Sequence, residues 1–116
     1  MLLFVYGTLM RGMRNHALMD GCQFIDRAFT LGTLYHLGGF PGFRNEGEGL
    51  VYGEVWEVPE GKVPHFDRFE GVPHLYTREV VRVYTMDDKE LEANIYVYAT
   101  DPIEYAQPID GGQWKE

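Results

Sequence analysis

Glu70 is the first residue of this sequence whose type and position suggest a chemical role. It lies in the stretch HFDRFEGVPHLYTRE, residues 65–79. Prolines before it and a glycine directly after it predict a short helix over residues 63–70. Within that helix Val63, Phe66 and Glu70 are spaced i, i+3 and i+7, which places them on one side. The pattern therefore puts a carboxylate where an apolar core residue is expected.

A carboxylate in that position must be paired, hydrogen-bonded or neutral. Desolvation raises the pKa of a carboxyl group toward neutrality, and a general base that works at cellular pH needs such a pKa. The alternative is structural: Glu70 forms an ion pair with Arg78 or Arg82, or simply ends the helix. The spacing alone leaves both interpretations open.

The segment VYGTLMRG contains a second candidate, a turn formed by Tyr6, Gly7, Thr8 and Leu9. Gly7 is expected to adopt a backbone conformation closed to other residues and so to permit a tight turn. Consecutive N–H groups in such a turn can converge on an anion, such as a ligand carboxylate or a developing oxyanion. Thr8 is interpreted as a hydrogen-bonding turn residue, because no base is indicated near it. A glycine after a strand is usually only a turn, so this segment alone does not define a site.

The elements that must position these residues follow from hydrophobic patterning and from turn residues. Asn15 is the predicted N-cap and Gly21 the predicted stop of a first short helix. About five strands and two short helices predict an α+β domain with a mixed, mainly antiparallel and barrel-like sheet. The predicted elements are strands at 2–6, 29–37 and 50–58, a hairpin at 76–98 with its turn at 87–89, short helices at 14–22 and 63–70, and a loop at 38–49.

The composition narrows the class of protein. A chain of 116 residues predicts a single domain, residues 1–116, and a hydrophobic fraction of 45% suffices for a folded core. The formal net charge of −8 argues against a nucleic-acid partner and against an anionic membrane surface. The histidines lack metal-ligand spacing and Cys22 is the only cysteine, so we expect neither a metal site nor a disulfide. Since the N-terminal apolar run is too short for a signal peptide or a membrane span, we expect a cytoplasmic protein.

Five segments in a fixed order carry a family resemblance: VYGTL at 5–9, GTLYHLGGFPGF at 32–43, VYGEVWEV at 51–58, FDRFEGVPHLYTREVV at 66–81 and IDGGQW at 109–114. Together they resemble the γ-glutamylcyclotransferase-like family, also called AIG2-like. The family patterns are Tyr-Gly-Ser/Thr-Leu, Gly-x-Leu-Tyr followed by Gly and Tyr/Phe-Pro, a Gly-Glu strand, Leu-Asp-x-x-Glu-Gly followed by Tyr-x-Arg, and Ser-Gly-Asp-Trp. In length the chain resembles the short branch that acts on γ-glutamylamines.

The sequence also departs from these patterns. Phe66 replaces the usual leucine, which is an exchange of one apolar residue for another. Gly111 and Gln113 stand where the family commonly has serine and aspartate, so the role of the closing segment stays open.

The resemblance implies a small barrel-like mixed sheet with short helices packed around it, and a site between the first turn and Glu70. Glu70 would be the acid/base of the reaction. The backbone N–H groups of residues 7–9 would hold the α-carboxylate or the amide oxygen of the substrate. Tyr6 and Tyr76 would shape the pocket.

The implied reaction is the cyclisation of a γ-glutamyl amide, a small-molecule substrate. Its α-amine attacks the side-chain carbonyl and releases 5-oxoproline and a free amine. No cofactor is expected, because the substrate carries its own nucleophile. The alternatives are a non-catalytic domain that binds amino-acid-like ligands on the same fold, and a structural protein without a ligand. The leaving amine and the oligomeric state stay open, since γ-glutamyl amino acids, isopeptides and protected antibiotic intermediates share the recognised half.

Overall fold

Five strands that close on themselves organise the described part of the chain. The structure, a computed structural model, describes residues 1–100 and 106–116. Around the ring the strand order is β1-β5-β2-β6-β7, and β7 returns to β1. The strands are β1 (Leu2–Val5), β2 (Gln23–Leu31), β3 (Thr33–His36), β4 (Pro41–Arg44), β5 (Leu50–Glu57), β6 (Tyr76–Thr85), β7 (Glu90–Tyr98) and β8 (Gln107–Pro108).

The closure of the ring is parallel, whereas the other pairings within it are antiparallel. Leu3 on β1 pairs with Asn94 on β7, and the Asn94 amide donates to the Leu2 carbonyl. Strands β4, β3 and β8 extend the sheet beyond β7. The predicted mixed, mainly antiparallel barrel-like sheet with short helices is therefore confirmed.

One α-helix and three 3-10 helices accompany the sheet in the described residues. The α-helix, α1, spans Val63–Phe69 and begins with a proline in its first turn, where the missing N–H costs nothing. The 3-10 helices are His16–Met19, Glu60–Lys62 and Asp110–Gly112. None of the helices in residues 1–100 and 106–116 has the length and apolar character needed to cross a membrane.

The core lies inside the ring, where alternate side chains of each strand point inward. Val51 and Val55 on β5, and Val83 and Ile95 on the hairpin, are fully buried. A side chain at Gly53 would not fit, because its Cβ would lie 2.2 Å from the Val5 carbonyl oxygen. The close approach of β1 to β5 therefore requires glycine at this position.

The hairpin at 76–98 is confirmed, with pairing from Tyr76–Tyr98 to Tyr84–Glu90. The predicted loop at 38–49 was wrong in part, since Pro41–Arg44 forms strand β4 with three buried residues. Glycine and proline suggested a loop there, but pairing with β3 orders the segment. Such a pairing partner is a tertiary contact that local composition does not contain.

Two further element boundaries differ from the predictions. The predicted strand at 29–37 is two strands separated at Gly32, and the first of them already begins at Gln23. The predicted helix at 14–22 is only the 3-10 helix His16–Met19. Asn15 precedes that helix without capping it, because its side-chain amide donates to the Thr8 hydroxyl.

Candidate active site

A cavity of about 240 Å³ lies between the first turn, strand β4 and the end of α1. Its volume suits a small molecule rather than a macromolecule. The structure brings to this one cavity the residues that sequence analysis proposed for the site: Tyr6, Gly7, Thr8, Leu9, Glu70 and Tyr76.

Glu70 is placed by the end of α1. Its backbone N–H donates to the Phe66 carbonyl at 2.9 Å, and Gly71 then stops the helix with a φ of 68°. That left-handed conformation favours glycine. Because the helix ends here, the Glu70 side chain enters the cavity next to Tyr76.

The Glu70 carboxylate is desolvated, and no cation of the described residues neutralises it. Burial raises its pKa from 4.5 to about 7. Within residues 1–100 and 106–116 its carboxylate has neither a hydrogen-bond partner nor an ion-pair partner. The predicted alternative of an ion pair with Arg78 or Arg82 is not formed, since Arg78 pairs with Asp67 and Arg82 with Glu90. Glu70 does end the helix, as the other alternative expected. The group is thus poised to take or give a proton near neutral pH.

Asp67, which sequence analysis did not assign, fixes α1 against the hairpin. Arg78 Nε donates to its Oδ1 at 3.0 Å, and the Tyr96 hydroxyl donates to the same oxygen at 2.7 Å. Burial alone would raise the pKa of Asp67, but the bonds from Arg78 and Tyr96 outweigh burial and lower it. Asp67 lies one helical turn before Glu70. The hydrogen bonds of Asp67 to Arg78 and Tyr96 therefore determine the position of the helix end that carries Glu70. The sequence feature that could have identified Asp67 is its place in the motif FDRFEG, three positions before the glutamate.

The turn at residues 7–10 contributes Gly7, Thr8 and Leu9 to the lining of the same cavity. The Met10 N–H donates to the Gly7 carbonyl at 3.1 Å, and the Asn15 N–H donates to the Thr8 carbonyl at 3.0 Å. In the described part of the chain no acceptor receives the N–H of Gly7, Thr8 or Leu9. Three consecutive N–H groups beside a cavity are suited to an anion or a polarised carbonyl.

The expected reason for glycine at position 7 was wrong. Gly7 is not among the residues with positive φ. Its Cβ would instead lie 2.7 Å from Cγ of Pro41 on β4. Glycine is therefore required because a neighbouring strand packs against the turn, and not because of backbone handedness.

The two tyrosines of the site use their hydroxyl groups to hold backbone. The Tyr6 hydroxyl donates to the Tyr96 carbonyl at 2.6 Å and accepts from the Phe43 N–H at 3.1 Å. The Tyr76 hydroxyl donates to the Pro41 carbonyl at 2.7 Å. Burial, with a contribution from the Glu70 charge, raises the pKa of both tyrosines. Both rings thus form walls of the cavity, and their protons stay bound at neutral pH.

Nine further residues line the cavity and were not predicted as site residues: Phe4, Val5, Arg14, Asn15, Phe40, Pro41, Phe69, Leu75 and Tyr96. Arg14 and Asn15 follow the turn closely, and their polarity was the available signal. For Phe40 and Pro41 the available signal was their match to the Tyr/Phe-Pro part of the family pattern, although local composition predicted only a loop there. Among the described residues no cluster of histidine, cysteine, aspartate and glutamate could hold a metal ion.

The closing segment IDGGQW lies outside the cavity. Gly112 packs so tightly that its Cβ would lie 1.7 Å from the Leu50 carbonyl oxygen. Trp114 is buried, and its indole N–H donates to the Glu116 carboxylate. This segment covers part of the sheet, and Glu116 beyond it contacts Arg14.

Residues 3–116 match the family described as gamma-glutamyl cyclotransferase, AIG2-like. The chain is 36% identical to a putative gamma-glutamylcyclotransferase of Vibrio cholerae, over 97% of this chain and 94% of that protein. It is also 36% identical to human gamma-glutamylaminecyclotransferase, over 91% of this chain and 84% of that protein. A crystal structure of an AIG2-like protein from Mus musculus superposes with a TM-score of 0.80 at 29% identity, covering 90% of this chain and 80% of that chain. The chain is therefore an enzyme that belongs to the gamma-glutamyl cyclotransferase, AIG2-like family.

Proposed function

We propose that the protein converts γ-glutamyl amides into 5-oxoproline and a free amine, with Glu70 as general acid and base. Family membership supports the reaction class. The observation that carries the assignment to a residue is that Glu70 is desolvated, has no cation partner in the described residues, and shares a cavity with three unused N–H groups.

The first step moves one proton. The α-amine of the substrate enters mainly as an ammonium ion, because the pKa of an α-amino group lies above neutral pH. The pKa of Glu70 is raised to about 7, which brings it closer to the pKa of the ammonium and makes the transfer less unfavourable. Ionised Glu70 takes the proton and frees the nitrogen lone pair. An ordinary solvated glutamate would be a weaker base for this step.

The second step closes the ring. The freed nitrogen forms a bond to the side-chain carbonyl carbon, and the carbonyl oxygen becomes an oxyanion. The N–H groups of Gly7, Thr8 and Leu9 stabilise that charge or hold the α-carboxylate. Because nucleophile and carbonyl belong to one molecule, correct folding of the substrate can contribute about 7–11 kcal/mol to the lowering of the barrier.

The third step breaks the carbon–nitrogen bond to the leaving amine. Protonated Glu70 donates its proton to the departing nitrogen and becomes ionised as the bond breaks. Glu70 then takes the second proton from the ring nitrogen and passes it to the released amine, which leaves as an ammonium ion. Over the whole reaction the ammonium of the substrate loses two protons and the departing amine gains two. Atoms and charges therefore balance without an external oxidant, reductant or water.

The test is a panel of γ-glutamyl amides incubated with the purified protein, with lactam release followed by mass spectrometry. The panel includes γ-glutamyl-alanine, γ-glutamyl-phenylalanine and ε-linked γ-glutamyl-lysine. We expect 5-oxoproline from at least one of them. Binding of the panel in a thermal-shift assay without any lactam would instead favour the non-catalytic binding domain.

The Glu70→Gln variant tests the role of the carboxylate. It keeps the shape of the side chain and removes the proton acceptor, so kcat should fall by about 10²- to 10⁴-fold. Glu92→Gln is the matched control, because Glu92 is exposed on β7 and has no ion pair in the described residues. Near-normal turnover by a folded Glu70→Gln protein would refute the assignment.

A further inference from the structure

We propose that Arg14 and three apolar side chains form a leaving-group subsite that selects γ-glutamyl α-amino acids with apolar side chains. This inference rests on the proposed function and adds the chemistry of the departing amine. The outer rim of the cavity consists of Arg14, Phe40, Phe69 and Leu75.

Two charged side chains line the cavity in the described part of the chain, and they lie at different depths. Glu70 is partly buried, and this burial raises the pKa of its carboxyl group. The Arg14 side chain is 52% exposed. Arg14 therefore supplies a positive charge where the cavity opens to solvent, in a protein whose formal net charge is −8. A carboxylate on a bound substrate has a favourable partner at that point.

The Arg14 guanidinium is held in place without being fully used. Glu116 accepts a hydrogen bond from the Arg14 backbone N–H at 2.7 Å. Its other oxygen forms an ion pair with Nη1 at 3.6 Å, a distance beyond hydrogen-bond range. Nη2 donates to the Gly39 carbonyl. The described residues offer Nε no acceptor, so part of the five-donor fork stays open for a ligand carboxylate.

The rest of the outer rim is apolar and exposed. Phe40, Phe69 and Leu75 keep 36%, 45% and 42% of their surface accessible. Each of them directly precedes a residue of the cavity wall: Pro41, Glu70 and Tyr76. A cation and three exposed apolar side chains that line one cavity complement a ligand that carries a carboxylate and an apolar side chain on the same carbon.

The subsite binds the leaving amine, because the γ-glutamyl half of the substrate must contact the catalytic groups inside the cavity. The α-amine must reach Glu70, and the carbonyl oxygen or the α-carboxylate must reach the N–H groups of residues 7–9. The bond that breaks therefore points away from these groups and toward the outer rim. An α-amino acid released there places its carboxylate within reach of Arg14.

The test compares γ-glutamyl-phenylalanine with γ-glutamyl-phenylalanine amide, which has the same shape and no terminal charge. In the wild-type protein we expect kcat/KM to favour the carboxylate substrate. Arg14→Met should lower kcat/KM for that substrate by about five- to tenfold and leave the amide nearly unchanged. Any intrinsic difference in reactivity between the two substrates cancels when their ratio is compared across variants.

Two further variants control the experiment. Arg14→Lys keeps the charge and should restore part of the preference, which excludes a merely structural effect. Arg27→Met removes an exposed arginine of β2 that does not line the cavity, and it should leave the ratio unchanged. In addition, higher ionic strength should slow the carboxylate substrate more than the amide.

The outcomes separate this inference from the proposed function. Equal loss for both substrates in Arg14→Met would assign Arg14 to the shared γ-glutamyl half and overturn the subsite. Turnover of ε-linked γ-glutamyl-lysine without turnover of either phenylalanine substrate would also overturn it. The absence of lactam from every γ-glutamyl amide would instead contradict the proposed function.

Discussion

The side chain of Glu70 has lost most of its hydration without gaining a cation in the described residues, and this has a consequence for stability. Its pKa is about 7 in the folded protein, against an ordinary value of 4.5. A carboxyl group with a raised folded pKa binds protons more tightly in the folded state. Its stabilising effect is therefore complete below pH 4.5 and is lost as the pH rises through 7.

We expect Glu70→Gln to become more stable than the wild type as the pH rises. The gap between the two pKa values corresponds to about 3 kcal/mol in the free energy of unfolding. Urea unfolding at pH 4.5 and at about pH 8 measures this difference in the free energy of unfolding. The stability of the variant relative to the wild type should be greater at the higher pH. An equal difference at both pH values would contradict the raised pKa.

Gly7 illustrates a residue whose role depends on its neighbour. A Cβ at this position would lie 2.7 Å from Cγ of Pro41, so Gly7→Ala must push the turn away from β4. We expect a higher KM and a lower melting temperature, and a larger effect for Gly7→Val. Gly61→Ala is the control, because a Cβ at Gly61 meets nothing within 4 Å. An unchanged KM in Gly7→Ala would count against the role of the turn in binding.

Helix α1 is the element that positions Glu70 at the cavity. With only seven residues it is too short to be stable alone, so its contacts to the hairpin determine its position. Asp67 provides the polar part of these contacts through Arg78 on β6 and Tyr96 on β7. The same arginine is thereby kept away from Glu70.

Asp67→Asn tests this coupling. Loss of the charged bond should lower the free energy of unfolding by about 1–3 kcal/mol and should lower kcat as Glu70 shifts. Asp20→Asn changes an exposed aspartate without an ion pair in the described residues, and it should alter neither quantity. If Asp67→Asn were destabilised but kept its kcat, the network would stabilise the helix without positioning Glu70.

For the whole molecule, the Tyr6 hydroxyl joins three strands. It follows β1 directly and bonds to backbone groups of β4 and β7. The ring closure between β1 and β7 has one residue pair, Leu3–Asn94, so this additional tie matters for the fold. It also fixes the cavity wall against the strands that carry it.

Tyr6→Phe should separate this structural role from catalysis. The variant leaves the buried Phe43 N–H without its hydroxyl acceptor, which should cost about 1–3 kcal/mol of stability. The hydroxyl is not free to move a proton, so kcat should stay within about threefold of the wild type. Tyr52→Phe is the control, because the Tyr52 hydroxyl has no partner in the described residues. A large loss of kcat at unchanged stability would make Tyr6 part of the chemistry.

Elements whose structure depends on neighbouring residues in the sequence could be predicted from the sequence. The helix before Glu70 follows from proline at its start, glycine at its end and apolar spacing between them. The hairpin follows from strict alternation. Strand β4 could not be predicted in this way, since its order comes from pairing with β3 and from burial of Phe43.

By itself the sequence determined that a glutamate stands on the apolar side of a short helix, that a glycine turn follows the first strand, and that both occur in a family-specific order. Only the tertiary structure decided whether that glutamate would be neutralised. Arg78 is bound by Asp67, so Glu70 stays without a cation in the described residues. The structure also placed Arg14 at the opening of the cavity. The physical reason is the same in each case: burial, pairing and distance between remote residues arise from packing, and spacing along a chain does not encode them directly.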